Sequence, residues 1–207
     1  LRGLLARLPQ MDPSRPPVKP LFISDRAMLT PESMFEYDQY QMGFLGPYAG
    51  GEAGERLLAE VEESELAEHP LEYRPQRAER DQGWQPYQGV LRTLEQAHPD
   101  DAKRKLCLRV LVVWSPAKAR LDAQLRQTNL AKLEASLKAL AGKLNRRPYT
   151  KRETVEKRLR HLLNHHPARR FLTVTLQGQD TELTLSINRR QGVIDEAARV
   201  DGRYLLV

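Results

Sequence analysis

Leu130, Leu133, Leu137, Leu140 and Leu144 recur at alternating steps of three and four residues, the spacing that lines one face of an α-helix. Upstream, Ser115-Pro116 is a start signal, a serine to cap and a proline for the first turn. The pattern predicts a long helix with a coiled-coil-like leucine seam. Asn145 to Tyr149 reads as a turn. Thr150 and Glu153 form a T-x-x-E capping-box pattern, opening a second helix from Lys151 to about Asn164 with Val155, Leu159 and Leu162 on one face. The two helices are expected to form an antiparallel hairpin over about 116–165, ended by Pro167.

Other stretches alternate with a period of two, the strand pattern. Tyr87 to Leu94 and Leu106 to Trp114 are expected to pair across a polar loop around Pro99 to Lys103. Phe171 to Leu176 and Glu182 to Ile187 are expected to pair across Gln177-Gly178-Gln179-Asp180. Val193 to Val200 reads as a short helix, Asp201-Gly202 as a turn, and Arg203 to Val207 as the start of a strand. Nearer the beginning, Leu1 to Leu8 has the pattern of a short amphipathic helix, and five prolines between Pro9 and Pro20 mark an extended loop. Leu21 to Ser24 reads as a buried strand delivering Asp25 at its end. Thr30-Pro31 starts a helix to about Met42, with Met34 and Phe35 among its apolar positions. Beyond Gly50-Gly51, Glu52 to Leu66 reads as an acidic helix and Pro70 to Gln85 as irregular. The mixture predicts an α+β or α/β fold.

Composition narrows the class. The chain has 207 residues, 40% hydrophobic and 29% charged, which suits one or two globular domains. The longest apolar run, Val110 to Trp114, is strand-sized and too short to span a membrane. The first residues lack the pattern of a signal peptide. The single cysteine, Cys107, excludes an internal disulfide framework, fits a reducing cytoplasm, and is expected to be buried and inert in its apolar strand. Net charge is +6 with a pI of about 9.5, and the charge is segregated. Glu52 to Arg80 holds nine Asp/Glu against four Lys/Arg; Lys138 to Arg170 holds eleven Lys/Arg against two Asp/Glu. A solvated helical hairpin and a nucleic-acid contact both account for such a basic run.

By spacing alone Asp25 reads as a turn or cap residue. Magnesium-dependent phosphoryl transfer needs several carboxylates about one or two metals; Asp12 and Asp38 are near in sequence but not at strand ends, and Asp201 with Gly202 reads as a turn. His161 and His165 are four apart and would share a helical face, as zinc ligands can, but no cysteine or carboxylate pair completes a site. Placement at a helix C-terminus or phosphate contact is the expected role for these and His166. The sequence has no phosphate-binding G-x-x-x-x-G-K-[ST] loop, no dinucleotide-binding G-x-G-x-x-G turn and no G-x-S-x-G elbow.

The segment Phe22-Ile23-Ser24-Asp25-Arg26-Ala27-Met28-Leu29-Thr30-Pro31-Glu32 resembles the surroundings of the second catalytic aspartate in bacterial insertion-sequence transposases of the DDE type, with Ala27 where glycine is usual. Leu111 to Asp122 is similar to that family's strand-to-long-helix junction. Lys143 to Tyr149 and Glu156-Lys157-Arg158-Leu159 are similar to its helical hairpin, and Ala197 to Leu206 to its return into the catalytic core. The resemblance implies a partial ribonuclease-H-like core interrupted by an insertion of β-hairpins and a long helical hairpin. Residues 1–48 would belong to the core, 49–190 to the insertion and 191–207 to the return. The family's first aspartate is expected before Leu1 and its glutamate after Val207, so this chain is expected to be an internal fragment, inactive alone. Asp25 would be catalytic and a ligand of Mg2+ or Mn2+, and Arg26, Lys143, Arg146, Arg147, Lys151 and Arg152 would contact DNA. The complete enzyme would cut and join element ends and target DNA, as a homodimer in the bacterial cytoplasm, nucleoid-associated when bound to DNA, with no membrane partner. Two alternatives stand beside it. One is a non-catalytic nucleic-acid- or protein-binding module. The other, weaker, is an enzyme complete in itself using Asp25, Asp201 and a glutamate.

Overall fold

The structure, a computed structural model, describes residues 20–73 and 85–207. The expected helix at Leu1 to Leu8, the proline-rich loop up to residue 19, Asp12 and most of the irregular charged stretch lie outside them. The fold is mixed α+β. By packing, the described residues divide into two compact units, one of 20–71, 88–113 and 204–207, the other built mainly of 114–203. This is a division by compactness; the division into core and insertion that the resemblance implies concerns descent, and the two do not share boundaries.

In the first unit β1 (Leu21–Ile23) leads through a 3-10 turn (Arg26–Met28) to α1 (Pro31–Gln39). Thr30 caps α1 as the sequence predicts, its hydroxyl accepting from the Ser33 amide while Ser33 Oγ accepts from the Thr30 amide at 3.0 Å. The chain then forms β2 (Gly43–Leu45), which runs parallel to β1 in the register Phe22↔Phe44. Phe22 and Phe44 both pack on the Tyr37 ring, with centroids 5.0 and 5.8 Å away. The expected acidic helix is two helices, α2 (Gly51–Glu60) and α3 (Glu63–Ala67). Val61 breaks it by turning extended, with its side chain 2% exposed. Part of the expected irregular stretch is a strand, β4 (Pro70–Tyr73).

The main sheet has five strands in the order β3 (Pro47–Tyr48), β9 (Arg203–Leu206), β6 (Asp101–Trp114), β5 (Gln85–His98), β4. The β5–β6 hairpin is longer than the hydrophobic pattern indicates, because its outer ends are paired but polar: Lys105 Nζ bonds Glu95 Oε2 at 2.8 Å. Along β6, Leu108, Val110 and Val112 are buried, whereas Cys107 and Arg109 are exposed on the opposite face. Strand alternation therefore corrects the expectation for Cys107, which is an exposed free thiol.

The second unit is built on α4 (Pro116–Ala141) and α5 (Arg152–Leu163), followed by β7 (Leu172–Gln177), β8 (Thr184–Arg189) and α6 (Gln191–Arg199). The leucine seam is the core: Leu130, Leu133, Leu137, Leu140 and Leu144 are buried with Val155, Leu159, Phe171, Leu172 and Leu183. The β7–β8 hairpin pairs Leu172↔Arg189 through Gln177↔Thr184, with Val174, Leu176, Leu185 and Ile187 against the same core. The expected capping box at Thr150 does not form. Helix α5 begins one residue later, with Lys151 in the cap position and no cap from its side chain. Asp180, in the β7–β8 loop, takes the Arg152 amide at 2.7 Å instead, and the Thr150 carbonyl accepts from the Thr181 amide at 3.0 Å. Among the described residues no helix is long and apolar enough to cross a membrane.

Candidate nucleic-acid interface

The turn between α4 and α5 is built on Asn145. It takes a left-handed conformation, φ 63°, which asparagine tolerates better than most residues. Its side chain is tied on both edges to one buried residue. Nδ2 donates to the Leu183 carbonyl at 3.0 Å, and Oδ1 accepts from the Leu183 amide at 2.8 Å. The Asn145 amide donates to the Tyr149 carbonyl at 3.0 Å, closing the loop. The residues held out by this anchor are Arg146 and Arg147, with Lys143 and Lys151 on either side.

All four of these cations are exposed. Among the described residues none has a carboxylate within bonding reach. Arg152 differs. Its Nε bonds Glu156 Oε1 at 2.8 Å, and its two terminal nitrogens donate to the Gly178 and Leu176 carbonyls at 2.8 and 3.2 Å. That guanidinium fastens α5 to the end of β7, a structural occupation. Beside the turn, Lys143, Tyr149 and Arg158 line a groove of about 200 Å³ with Ser136, Ala139, Leu140 and Leu162. Two cations and a phenol over an apolar base suit a phosphate or sugar edge. Tyr149 and Arg158 were not singled out from the sequence; position in a helix-adjacent turn gave Tyr149 no distinguishing signal.

Asp25 sits just past β1, exposed. Ser24 is held by a bond from its amide to the Leu45 carbonyl at 3.1 Å, and Gly46 packs so closely that a Cβ there would lie 2.4 Å from the Ser24 carbonyl oxygen. Asp25 Oδ1 accepts from the Ala27 amide at 3.1 Å, capping the 3-10 turn. This is the cap role that spacing alone predicts. Arg26 is exposed beside it. Among the described residues no three of His, Cys, Asp and Glu gather into a group that could hold a metal ion. Asp38 is exposed on α1. His161 lies in the last turn of α5, and His166 uses Nδ1 to accept from the Ala168 amide at 3.2 Å.

Asp201 is more than a turn residue. Its carboxylate takes a two-pronged bond from Arg126, at 2.6 and 2.7 Å, with both side chains about 14% exposed or less. Asp122, paired with Lys118 at 2.5 Å, also accepts from the Gly202 amide at 2.9 Å. Gly202 has φ +81°, and a Cβ would meet Ala119 Cβ and the Ser115 carbonyl oxygen at 2.7 Å. Glycine is required here sterically as well as conformationally. These contacts fix the first half of α4, and they spend the Asp201 carboxylate on structure. No protein-family model matches the chain, and neither a curated protein nor a solved structure matches it.

Proposed function

We propose that this chain is a DNA-contacting part of a DDE-type transposase, and that its helical-hairpin unit grips phosphates without reading sequence. The observation that carries the reading is the α4–α5 turn: Lys143, Arg146, Arg147 and Lys151 are exposed, lack carboxylate partners among the described residues, and stand on a rigid anchor. Four unneutralised cations on one turn repel one another, and a polyanion relieves that repulsion while releasing counterions. The ordered resemblance around Asp25 and along residues 111–206 supplies the transposase half of the proposal.

Asp25 by itself does not make a metal centre. It offers one carboxylate whose Oδ1 already accepts a backbone bond, and Mg2+ or Mn2+ at a phosphoryl-transfer centre needs further ligands. Among the described residues no group of three or more His, Cys, Asp or Glu side chains forms around it. In the proposed enzyme Asp25 would be one ligand of a centre whose other carboxylates come from elsewhere in the assembled protein. The second reading, a non-catalytic binding module, is favoured by the capping bond of Asp25.

Duplex DNA of random sequence is the probe. Affinity is expected to fall about 10²–10³-fold between 50 and 200 mM salt, the slope of roughly four to five phosphate contacts. Salt-insensitive binding, or none, would overturn the phosphate-contacting interface. The purified chain is expected to show no magnesium-dependent strand transfer; activity from it would overturn the view that its metal centre is incomplete. Sequencing the reading frame in both directions separates the two readings. An aspartate-bearing strand upstream and a glutamate-bearing helix downstream support the transposase, and their absence supports the module.

A further inference from the structure

A second basic cleft lies in the same unit, away from the residues that the sequence singles out. Leu163, Leu172 and Val174 form its floor and Arg169, Arg170 and Arg190 its rim, around a volume of about 370 Å³. That is the lower end of the range for small-ligand sites. The floor is firm. Leu172 is 7% exposed within the core, and Leu163 and Val174 pack against that core. The rim is fixed in part. The Arg170 guanidinium lies 4.8 Å from the centre of the buried Phe171 ring. Arg190 donates from its amide to the Phe171 carbonyl at 2.8 Å, and from Nη1 to the Arg170 carbonyl at 3.3 Å.

The charge pattern is selective. Arg189, the neighbouring residue, is neutralised by Glu134 through bonds of 2.6 and 2.9 Å. Among the described residues Arg169, Arg170 and Arg190 have no carboxylate partner, and no acid lines the cleft. Three permanently charged guanidiniums around an apolar floor suit an occupant that is anionic on one side and flat and apolar on the other.

We propose that this cleft is a subsite for one nucleotide of single-stranded DNA, the base on Leu163, Leu172 and Val174 and the phosphates on the three arginines. A duplex keeps its bases stacked inside and cannot offer one to the floor; a single strand can. The proposal rests on the nucleic-acid reading of this unit, but on residues separate from the α4–α5 turn.

The test measures fluorescence anisotropy with a labelled thymidine 12-mer, a duplex of the same length, an abasic 12-mer and inorganic polyphosphate. The full chain is compared with the R169Q/R170Q/R190Q variant. All three side chains are exposed, and circular dichroism checks that the fold is kept. The variant is expected to bind the thymidine strand about tenfold or more weakly, with a salt slope lower by about 1–2, and to lose little affinity for duplex. The parent chain is expected to favour the thymidine strand over the abasic one by about tenfold, and the variant to lose that preference. Unchanged single-strand affinity in a variant that still binds duplex overturns the subsite and leaves the turn interface standing. Equal losses for abasic strand, polyphosphate and thymidine strand overturn the base half of the proposal. A parent chain that binds the single strand but not the duplex supports the subsite and overturns the turn interface. A parent chain that binds neither overturns both.

Discussion

The two units carry opposite charge on different scaffolds, one largely a five-stranded sheet and the other a helical hairpin with a two-stranded sheet. Residues 20–71, 88–113 and 204–207 hold seven Lys/Arg against fourteen Asp/Glu, whereas residues 114–203 hold nineteen against nine. The chain's modest +6 therefore hides a strongly basic unit beside an acidic one. Net charge is a statement about the whole surface, and a polyanion meets only part of it. Both units tie some cations to carboxylates, as in Arg92–Glu65 and Lys105–Glu95 in the acidic unit and Arg126–Asp201 and Arg189–Glu134 in the basic one. The basic unit leaves whole groups of cations without such partners, and these groups sit on its turn and on its cleft.

Removing charge from each unit is the most direct way to break this comparison. The variant K143Q/R146Q/R147Q/K151Q is expected to weaken duplex binding about 10²–10³-fold near 0.1 M salt. Replacing Glu52, Glu60, Glu62 and Glu63 by glutamine is expected to change it less than about threefold. Titration by anisotropy checks both. Arg152 is left in place, since its loss would loosen α5 from β7.

Positive-φ glycines sharpen the comparison next. Gly202→Ala forces a Cβ into Ser115 and Ala119, and is expected to cost about 2–3 kcal/mol in urea unfolding. Gly51→Ala, at φ +53° with nothing within 4 Å, is expected to cost roughly 1 kcal/mol, the left-handed penalty alone. Equal costs at the two positions would contradict the steric account of Gly202.

Asn145→Ala removes both bonds to Leu183 and leaves two backbone groups there without them. About 1–2 kcal/mol of stability is expected to go, and duplex affinity should fall with it because the turn loses its anchor. A melt with unchanged midpoint would show that the loop holds itself.

The smallest effect concerns acid. Bonding from Arg189 holds the Glu134 carboxyl below its ordinary value of 4.5. A depressed folded value stabilises above the unfolded one and fades as pH falls below it. The stability gap between the parent chain and E134Q is therefore expected to be constant above about pH 5 and to shrink below 4.5. Urea midpoints across that window check it, and a gap that widens in acid would refute it.

Much of the scaffold was legible in the sequence because periodicity reports burial directly. The leucine seam and both β-hairpins follow from it, and the Ser115 and Thr30 starts follow from cap and proline signals. The strand expected to be buried before Asp25 forms, but Leu21 and Ile23 are exposed on it. What was hidden depended on distant partners. Thr150 looked like a cap, but Asp180 reaches across from another loop and takes the amide first. Arg152 looked like a free cation among cations until its carbonyl partners in β7 were in place. Asp201 looked like a turn because its partner, Arg126, is far away in sequence. Arg169, Arg170 and Arg190 belong to two segments that only the β7–β8 hairpin brings together. Cys107 failed for a simpler reason: an apolar strand still has two faces.

Helix α4 is fastened by different means along its length. From Leu130 onward it is sealed by the leucine core. Before that, its fixed points are the polar ones, Asp122 to Gly202 and Arg126 to Asp201, and Leu121 and Leu125 are 53% and 50% exposed. Backbone amides in the two halves should therefore exchange with solvent deuterium at different rates, the earlier half opening first. Concentrated salt, which weakens ion pairs and leaves apolar packing intact or stronger, should widen the difference.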